Sequence, residues 1–327
     1  MTPAFLSSGD PIADRRSLYA QMLNDSGDPA AAAEVMAQAL DAAPEWAAGW
    51  VMLGRFLEAA GAMAPALDAW RHAAALDPSG ALGAQMLLAA HGQGSVDAAA
   101  QAAYVETLFE HYAPEFEAAL IQRLGYAVPS ALAAMLEGIW VEGFARALDL
   151  GCGTGLMGER LRRRVSFLEG VDLSQAMLTE TARKGVYDAL EKGELSAVLA
   201  TRGAALDLVT AADVFMYCAA LPPIFALTFA ALRPGGVFAF SVESHDGEGE
   251  AQLQSSLRFT HAPDSVRAAL EATGFQVLAR QDMAIRLDRG LPVRGCLFVA
   301  RRPEVAPVLA LGVADAEAQD ASALVAS

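Results

Sequence analysis

Basic residues are scarce in this chain. Lys and Arg number 23 against 39 Asp and Glu, a formal charge of -16. Long-range attraction to a phosphate backbone is therefore missing, which argues against nucleic acid as substrate or partner. Cysteine is scarcer still: Cys152, Cys218 and Cys296 have no metal-ligand spacing, and their apolar or glycine-rich surroundings read as reduced structural thiols. No metal site is expected. No apolar run approaches the ~18 residues of a membrane span, and the first residues carry no signal-peptide pattern. The expectation is a soluble cytoplasmic protein with no membrane partner.

Apolar residues make up 54% of the 327 positions, many of them alanine, which favours packed helices and allows two domains of ordinary size. Residues 1–103 contain repeats. Pro44 and Pro78 lie 34 positions apart, each after a stretch that reads as a helix pair. In the better copy Trp50, Leu53, Gly54 and Leu57 precede Ala66, Trp70, Ala73 and Pro78; subtracting 34 gives Arg16, Tyr19, Ala20 and Leu23, then Ala32, Met36, Ala39 and Pro44. Small residues recur where helices must approach closely. The pattern resembles tetratricopeptide repeats, with an altered third copy that docks on the neighbouring segment. A protein partner, self-association or mere bracing are all open roles for such an array.

The chain is organised around Ala147-Leu148-Asp149-Leu150-Gly151-Cys152-Gly153-Thr154-Gly155-Leu156. An apolar run with one acid reads as a buried strand, the glycines as a tight turn, and Leu156, Met157 and Leu161 as the start of a helix. Such a strand, turn and helix place backbone N–H groups at a nucleotide-sized crevice. A dinucleotide fingerprint begun at Gly151 would need glycine where Leu156 stands, and no Gly-Lys-Ser/Thr follows to make a phosphate loop. About 20 residues on, Phe167 to Ser174 ends a second strand at Asp172, where a carboxylate would meet ribose hydroxyls. Ser174 is placed to cap the next helix.

Here the sequence resembles the class I S-adenosylmethionine-dependent methyltransferases, whose hydrophobic-D-hydrophobic-G-x-G-x-G motif is met at Leu148 through Gly155. Leu232-Arg233-Pro234-Gly235-Gly236, read as a turn before the strand Val237 to Glu243, is a second match. The resemblance implies a Rossmann-like seven-stranded α/β sheet behind the all-α repeat domain, ending in antiparallel strands at Gln276–Ile285 and Arg294–Ala300. It implies S-adenosylmethionine as cofactor. Asp149, Gly151, Cys152, Gly153 and Gly155 would then approach its methionine part, Asp172 and Leu173 its ribose, and Glu194 and Leu195 its adenine. Asp213, Val214 and Tyr217 would border cofactor and acceptor, with Asp207 steadying the start of a strand. The Asn/Asp-Pro-Pro-Tyr/Phe segment of base and glutamine methylation is missing.

The same resemblance makes 104–141 a set of covering helices, with Tyr112, Phe116 and Tyr126 as lid or pocket candidates. His261, Tyr217 and Tyr112 are the catalytic candidates; Phe116, Tyr126 and Arg258 the substrate-binding ones. The resulting division is repeats over 1–103, covering helices over 104–141, methyltransferase domain over 142–302 and a mobile Ala-rich tail over 303–327. The expected reaction is methyl transfer to a hydroxyl or carboxyl group of a small molecule, or to a protein recruited by the repeats. A partner-binding protein with a vestigial methyltransferase domain is the alternative from another class, and a nicotinamide-dependent oxidoreductase the lesser one.

Overall fold

The computed structural model describes residues 7–118, 125–139, 143–247, 249, 251–288 and 290–304. Side chains at 112, 114–116 and 118 lie outside that description, as does most of the expected tail.

The N-terminal part is helical. Helix α1 (Pro11–Asp25) begins where the Asp10 carboxylate accepts the N–H groups of Ile12 and Ala13, and α2 (Pro29–Ala42) where Asp28 accepts that of Ala31. Both have proline in the first turn, where no N–H is needed. Next come α3 (Ala47–Ala59) and α4 (Met63–Leu76), with α1 on α2, α2 on α3 and α3 on α4. Gly54 makes one of these contacts possible, because a Cβ there would overlap the Trp70 indole. Helix α5 (Ala84–Ala90) has only seven residues, so a third copy of the pair is truncated on its first side. Helix α6 (Ala98–Ala118) then runs unbroken through 103/104, and the chain has no boundary there.

After α7 (Val128–Ile139) the chain alternates strand and helix. The order is β1 (Phe144–Leu150), α8 (Leu156–Leu161), β2 (Val165–Asp172), α9 (Gln175–Lys184), β3 (Ala189–Lys192), α10 (Leu195–Thr201), β4 (Leu206–Ala211), α11 (Pro222–Ala231) and β5 (Leu232–Glu243). A two-stranded ribbon, β6 (Gln252–Leu253) and β7 (Phe259–Thr260), precedes α12 (Pro263–Thr273), β8 (Gln276–Asp288) and β9 (Leu291–Arg301). The main sheet runs β3-β2-β1-β4-β5-β9-β8, parallel through β5 and antiparallel at β9. This is a Rossmann-like seven-stranded sheet, with a helical region before it. Strand order reverses between β1 and β4, which opens a crevice at their carboxyl ends.

Alternation along the strands feeds two cores. Leu148, Leu150, Val209, Phe238 and Phe240 pack under α10, α11 and α12; Ala147, Leu208, Val237 and Ala239 face α7 and α8. Several element ends differ from the sequence reading. The Leu232–Gly236 segment belongs to β5 as an irregularity: pairing jumps from Leu206 with Leu232 to Leu208 with Val237, and Gly235 turns to φ +83. Strand β8 continues past Ile285 to Asp288, which brings Arg286 into the sheet.

Candidate active site

The glycine turn leaves β1 with Gly151 at φ +60 and Gly153 at φ +54, conformations that suit residues without a side chain. Space demands it as well: a Cβ on Gly151 would lie 2.6 Å from Val214 Cγ2. The turn is pinned to the next strand, since Cys152 N–H donates to the Val171 carbonyl at 2.9 Å and Gly153 N–H to Asp172 Oδ2 at 2.9 Å. Asp172 Oδ1 accepts the Ser174 N–H at 2.8 Å, and Ser174 in turn caps α9. Burial raises the Asp172 pKa, while the N–H groups of Ser174 and Gly153 oppose that rise.

Asp149 sits beneath the turn, accepting the Tyr187 hydroxyl and the Thr210 hydroxyl at 2.6 Å each. Its pKa is pushed up to about 6 by burial, against the two hydrogen bonds and with help from the Asp172 charge. Above the turn a cavity of 690 Å³ runs from Asp172, Leu173, Glu194 and Leu195 past Cys152, Gly153, Asp213 and Val214 to Tyr126, Tyr217, Arg258 and Arg286. That volume is ordinary for a small-molecule site. Its roof is helix α6, through Gln101, Val105, Leu108 and Phe109.

Glu194 has a second task, capping α10 by accepting the Ala197 N–H at 2.9 Å. Asp213 holds φ +59, uncommon for a residue with a side chain. Its N–H donates to Ser241 Oγ at 2.9 Å and its carboxylate accepts Arg286 Nη1 at 2.8 Å, while the other Arg286 nitrogen reaches Glu243. Arg286 is thus paired with two carboxylates, and only 4% exposed. Tyr126 is pushed well above the usual phenol range by burial and by the Asp213 charge. Burial also raises the Tyr217 pKa, opposed by Arg258.

Two of the site candidates do not line this cavity. His261 is not in this cavity: it is buried beside a separate cavity under Ala219–Pro222, its Nε2 on the Phe215 carbonyl at 3.1 Å, and burial lowers its pKa. Gly155 caps α8 at φ +90 and is not part of the cavity wall. Tyr112 and Phe116 lie on α6, with side chains outside the described ones. Arg286, Gln101, Phe109 and Tyr187 were not foreseen. None left a readable trace: Arg286 shares its β-patterned run with Arg280, Asp282 and Asp288.

Sheet and crevice define the class: a Rossmann-like α/β unit with a ligand cavity at its switch point. Residues 148–240 match a family model described as a methyltransferase domain. The chain is similar to malonyl-[acyl-carrier protein] O-methyltransferase of Enterobacter lignolyticus, 33% identical over 103 residues, which cover 32% of this chain and 41% of that one. It is similar also to trans-aconitate 2-methyltransferase of Pseudomonas paraeruginosa, 39% identical over 98 residues, which cover 29% of this chain and 34% of that one. The chain therefore spans under half the length of either relative. Among solved structures, an S-adenosylmethionine-dependent methyltransferase from Mesorhizobium loti shares 23% identity at a TM-score of 0.43, covering 53% of this chain and 96% of that one. One from Clostridium acetobutylicum shares 19% at 0.45, covering 58% and 97%.

S-adenosylmethionine is the cofactor of this kind of domain, and the residues present fit it. The wall carries the carboxylates of Asp149, Asp172, Glu194 and Asp213, suited to a cationic ligand with ribose hydroxyls and opposed to a pyrophosphate. The buried Thr154 hydroxyl at the turn has no hydrogen-bond partner among the described residues, so a polar ligand atom would satisfy it. No helix among the described residues is long and apolar enough to cross a membrane.

Proposed function

We propose that the whole chain is an S-adenosylmethionine-dependent methyltransferase whose acceptor is a small molecule, methylated on a carboxyl group in preference to a hydroxyl. The observation that carries this reading is the 690 Å³ cavity, acidic where the cofactor would lie and lined by two arginines and two tyrosines elsewhere. Asp172 would hold the ribose, Glu194 and Leu195 the adenine, and the Gly151–Gly153 turn with Asp149 the methionine part. When bound, the cofactor supplies an electrophilic methyl group on sulfur. The chain's own residues align the acceptor oxygen with it, and the apolar face of α6 (Val105, Leu108 and Phe109) excludes water.

A carboxylate needs no proton removed. A hydroxyl would need a base, and these groups suit that task poorly: Tyr126 and Tyr217 have raised pKa values, Asp213 is paired with Arg286, and His261 lies elsewhere. The acid-bearing acceptors in the two relatives' names support the same choice. Calorimetry with S-adenosylmethionine, followed by transfer of labelled methyl into a small-molecule extract, tests it: the label should enter alkali-labile esters. Absence of cofactor binding would refute the proposal, and alkali-stable ethers would refute the carboxyl preference.

A second reading, recruitment of a protein through the helical array, is favoured by Ile12, Leu18, Tyr19 and Met22, all more than half exposed on α1. The 34-residue spacing and the Gly54–Trp70 contact support a tetratricopeptide assignment for that array. On this reading the units are the helices up to α5, the covering helices α6 and α7, and the sheet domain from β1 onward.

A further inference from the structure

The two arginines of the cavity differ in what they already hold. Arg286 donates to Asp213 at 2.8 Å and to Glu243, so its charge is spent inside the protein. Arg258 is held loosely. Among the described residues its nearest carboxylates are Asp288 at 3.7 Å and Glu243 at 4.0 Å, both longer than a hydrogen bond. Its guanidinium, five donors on a planar fork, lines the cavity and hydrogen-bonds the Tyr217 hydroxyl, which leaves further donors for a ligand.

The backbone that aims Arg258 is unusual. Gln254 N–H bonds the Arg258 carbonyl at 2.9 Å and Leu257 N–H the Gln254 carbonyl at 2.9 Å, closing a turn between β6 and β7. In it Leu257 takes φ +62, a conformation that costs a branched side chain energy and must be held by its surroundings. The surroundings are N-terminal. Leu257, 1% exposed, packs with Trp70, Met86 and Leu87 from α4 and α5, and Phe259 joins the same cluster. One residue is thus seated in the helical array and the next projects into the cavity.

Resting on the methyltransferase reading, we propose that Arg258 is the specificity residue of this site, binding a carboxylate of the acceptor that is not the group methylated, and that the N-terminal helices position it. Arginine takes a carboxylate through two parallel hydrogen bonds. An oxygen held that way loses nucleophilicity, so the anchored acid and the methylated group are different. The acceptor carries at least one acid besides its reacting oxygen, and the product keeps that acid free. The array then serves the chemistry even with no partner bound.

The test uses the full-length protein, methyl-labelled S-adenosylmethionine, and a small-molecule extract supplemented with malonate, trans-aconitate and citrate. With the wild type, label should enter products that an anion exchanger still retains. Arg258→Gln should lower kcat/KM for those products by about 30-fold or more, mostly through KM, with Arg258→Lys intermediate. Cofactor affinity should stay within about twofold in both, which also reports that they are folded. Leu257→Ala should raise KM in the same direction, a result that a purely local role of Arg258 would not produce. Neutral labelled products, or an unchanged KM in Arg258→Gln, would overturn the assignment, as would cofactor binding with no label in any acid. Failure of the wild type to bind S-adenosylmethionine would instead overturn the underlying reading, and this inference with it.

Discussion

The side-chain amide of Gln101 donates to the main-chain carbonyl of Tyr217, a residue 116 positions away, and so ties the roof helix to the turn that follows β4. Phe109, two turns further along α6, meets the Tyr217 ring edge-on at 5.5 Å. The Tyr217 end of the cavity is therefore assembled from both halves of the chain. Gln101→Ala should remove one buried hydrogen bond, about 1 kcal/mol, and raise the acceptor KM by about fivefold. Steady-state kinetics with cofactor in excess would show it, and an equal loss of cofactor affinity would contradict it.

Asp172 offers the sharpest test of the cofactor end. Asp172→Ala should weaken S-adenosylmethionine by about 1 to 3 kcal/mol through loss of charge-assisted hydrogen bonds. Because Asp172 also accepts the Gly153 and Ser174 N–H groups, Asp172→Asn should recover only part of the loss. Calorimetry on folded variants checks both; an unchanged affinity in the alanine variant rules out the ribose role.

Gly153→Val would force a branched side chain into φ +54 at the cavity wall. With left-handed backbone costing such residues about 1 to 3 kcal/mol and the ligand space filled, cofactor affinity should drop by at least about 30-fold. Normal binding by a variant with native circular dichroism would contradict this.

Asp149 makes stability depend on pH in a direction opposite to most carboxylates. Its pKa is about 6 in the folded protein against 3.8 ordinarily. Between these values the native state binds more protons than the unfolded one, so this contribution is present below pH 4 and is lost as pH rises through 6. The change is on the order of 3 kcal/mol. Urea midpoints of wild type and Asp149→Asn from pH 4 to 7 should diverge accordingly, the variant lacking this slope.

His261→Gln provides the contrast. With the imidazole outside the cavity and bonded to the Phe215 carbonyl, turnover should stay within about tenfold of wild type, whereas loss of a general base costs 10²- to 10⁴-fold. A larger loss with unaltered thermal stability would return His261 to the mechanism.

The glycine turn and Asp172 were legible in the sequence because their constraints are local. A turn that needs positive φ at Gly151 and Gly153 leaves glycine as the easy choice, and an acid at the end of the neighbouring parallel strand falls at a spacing set by one strand–helix–strand unit. The Gly54–Trp70 approach was legible for the same reason, since helix pairing repeats a fixed pattern of small and large residues. His261 and Arg258 were not separable in this way. They lie three positions apart on the β6–β7 ribbon, both polar and near aromatic residues, and nothing local says which one faces the crevice. Packing decided it: Leu257 and Phe259 seat in the N-terminal cluster, Arg258 projects into the cavity, and His261 turns under the Phe215 carbonyl. Arg286 waited on β8 extending past Ile285, and Gln101 on α6 crossing over the sheet. Sequence alone determined the glycine turn and the position of Asp172, where each residue answers to its own backbone. Only the tertiary structure decided the Tyr217 and Arg258 end of the cavity, because its walls come from segments more than 100 residues apart whose relative placement depends on which apolar faces bury each other.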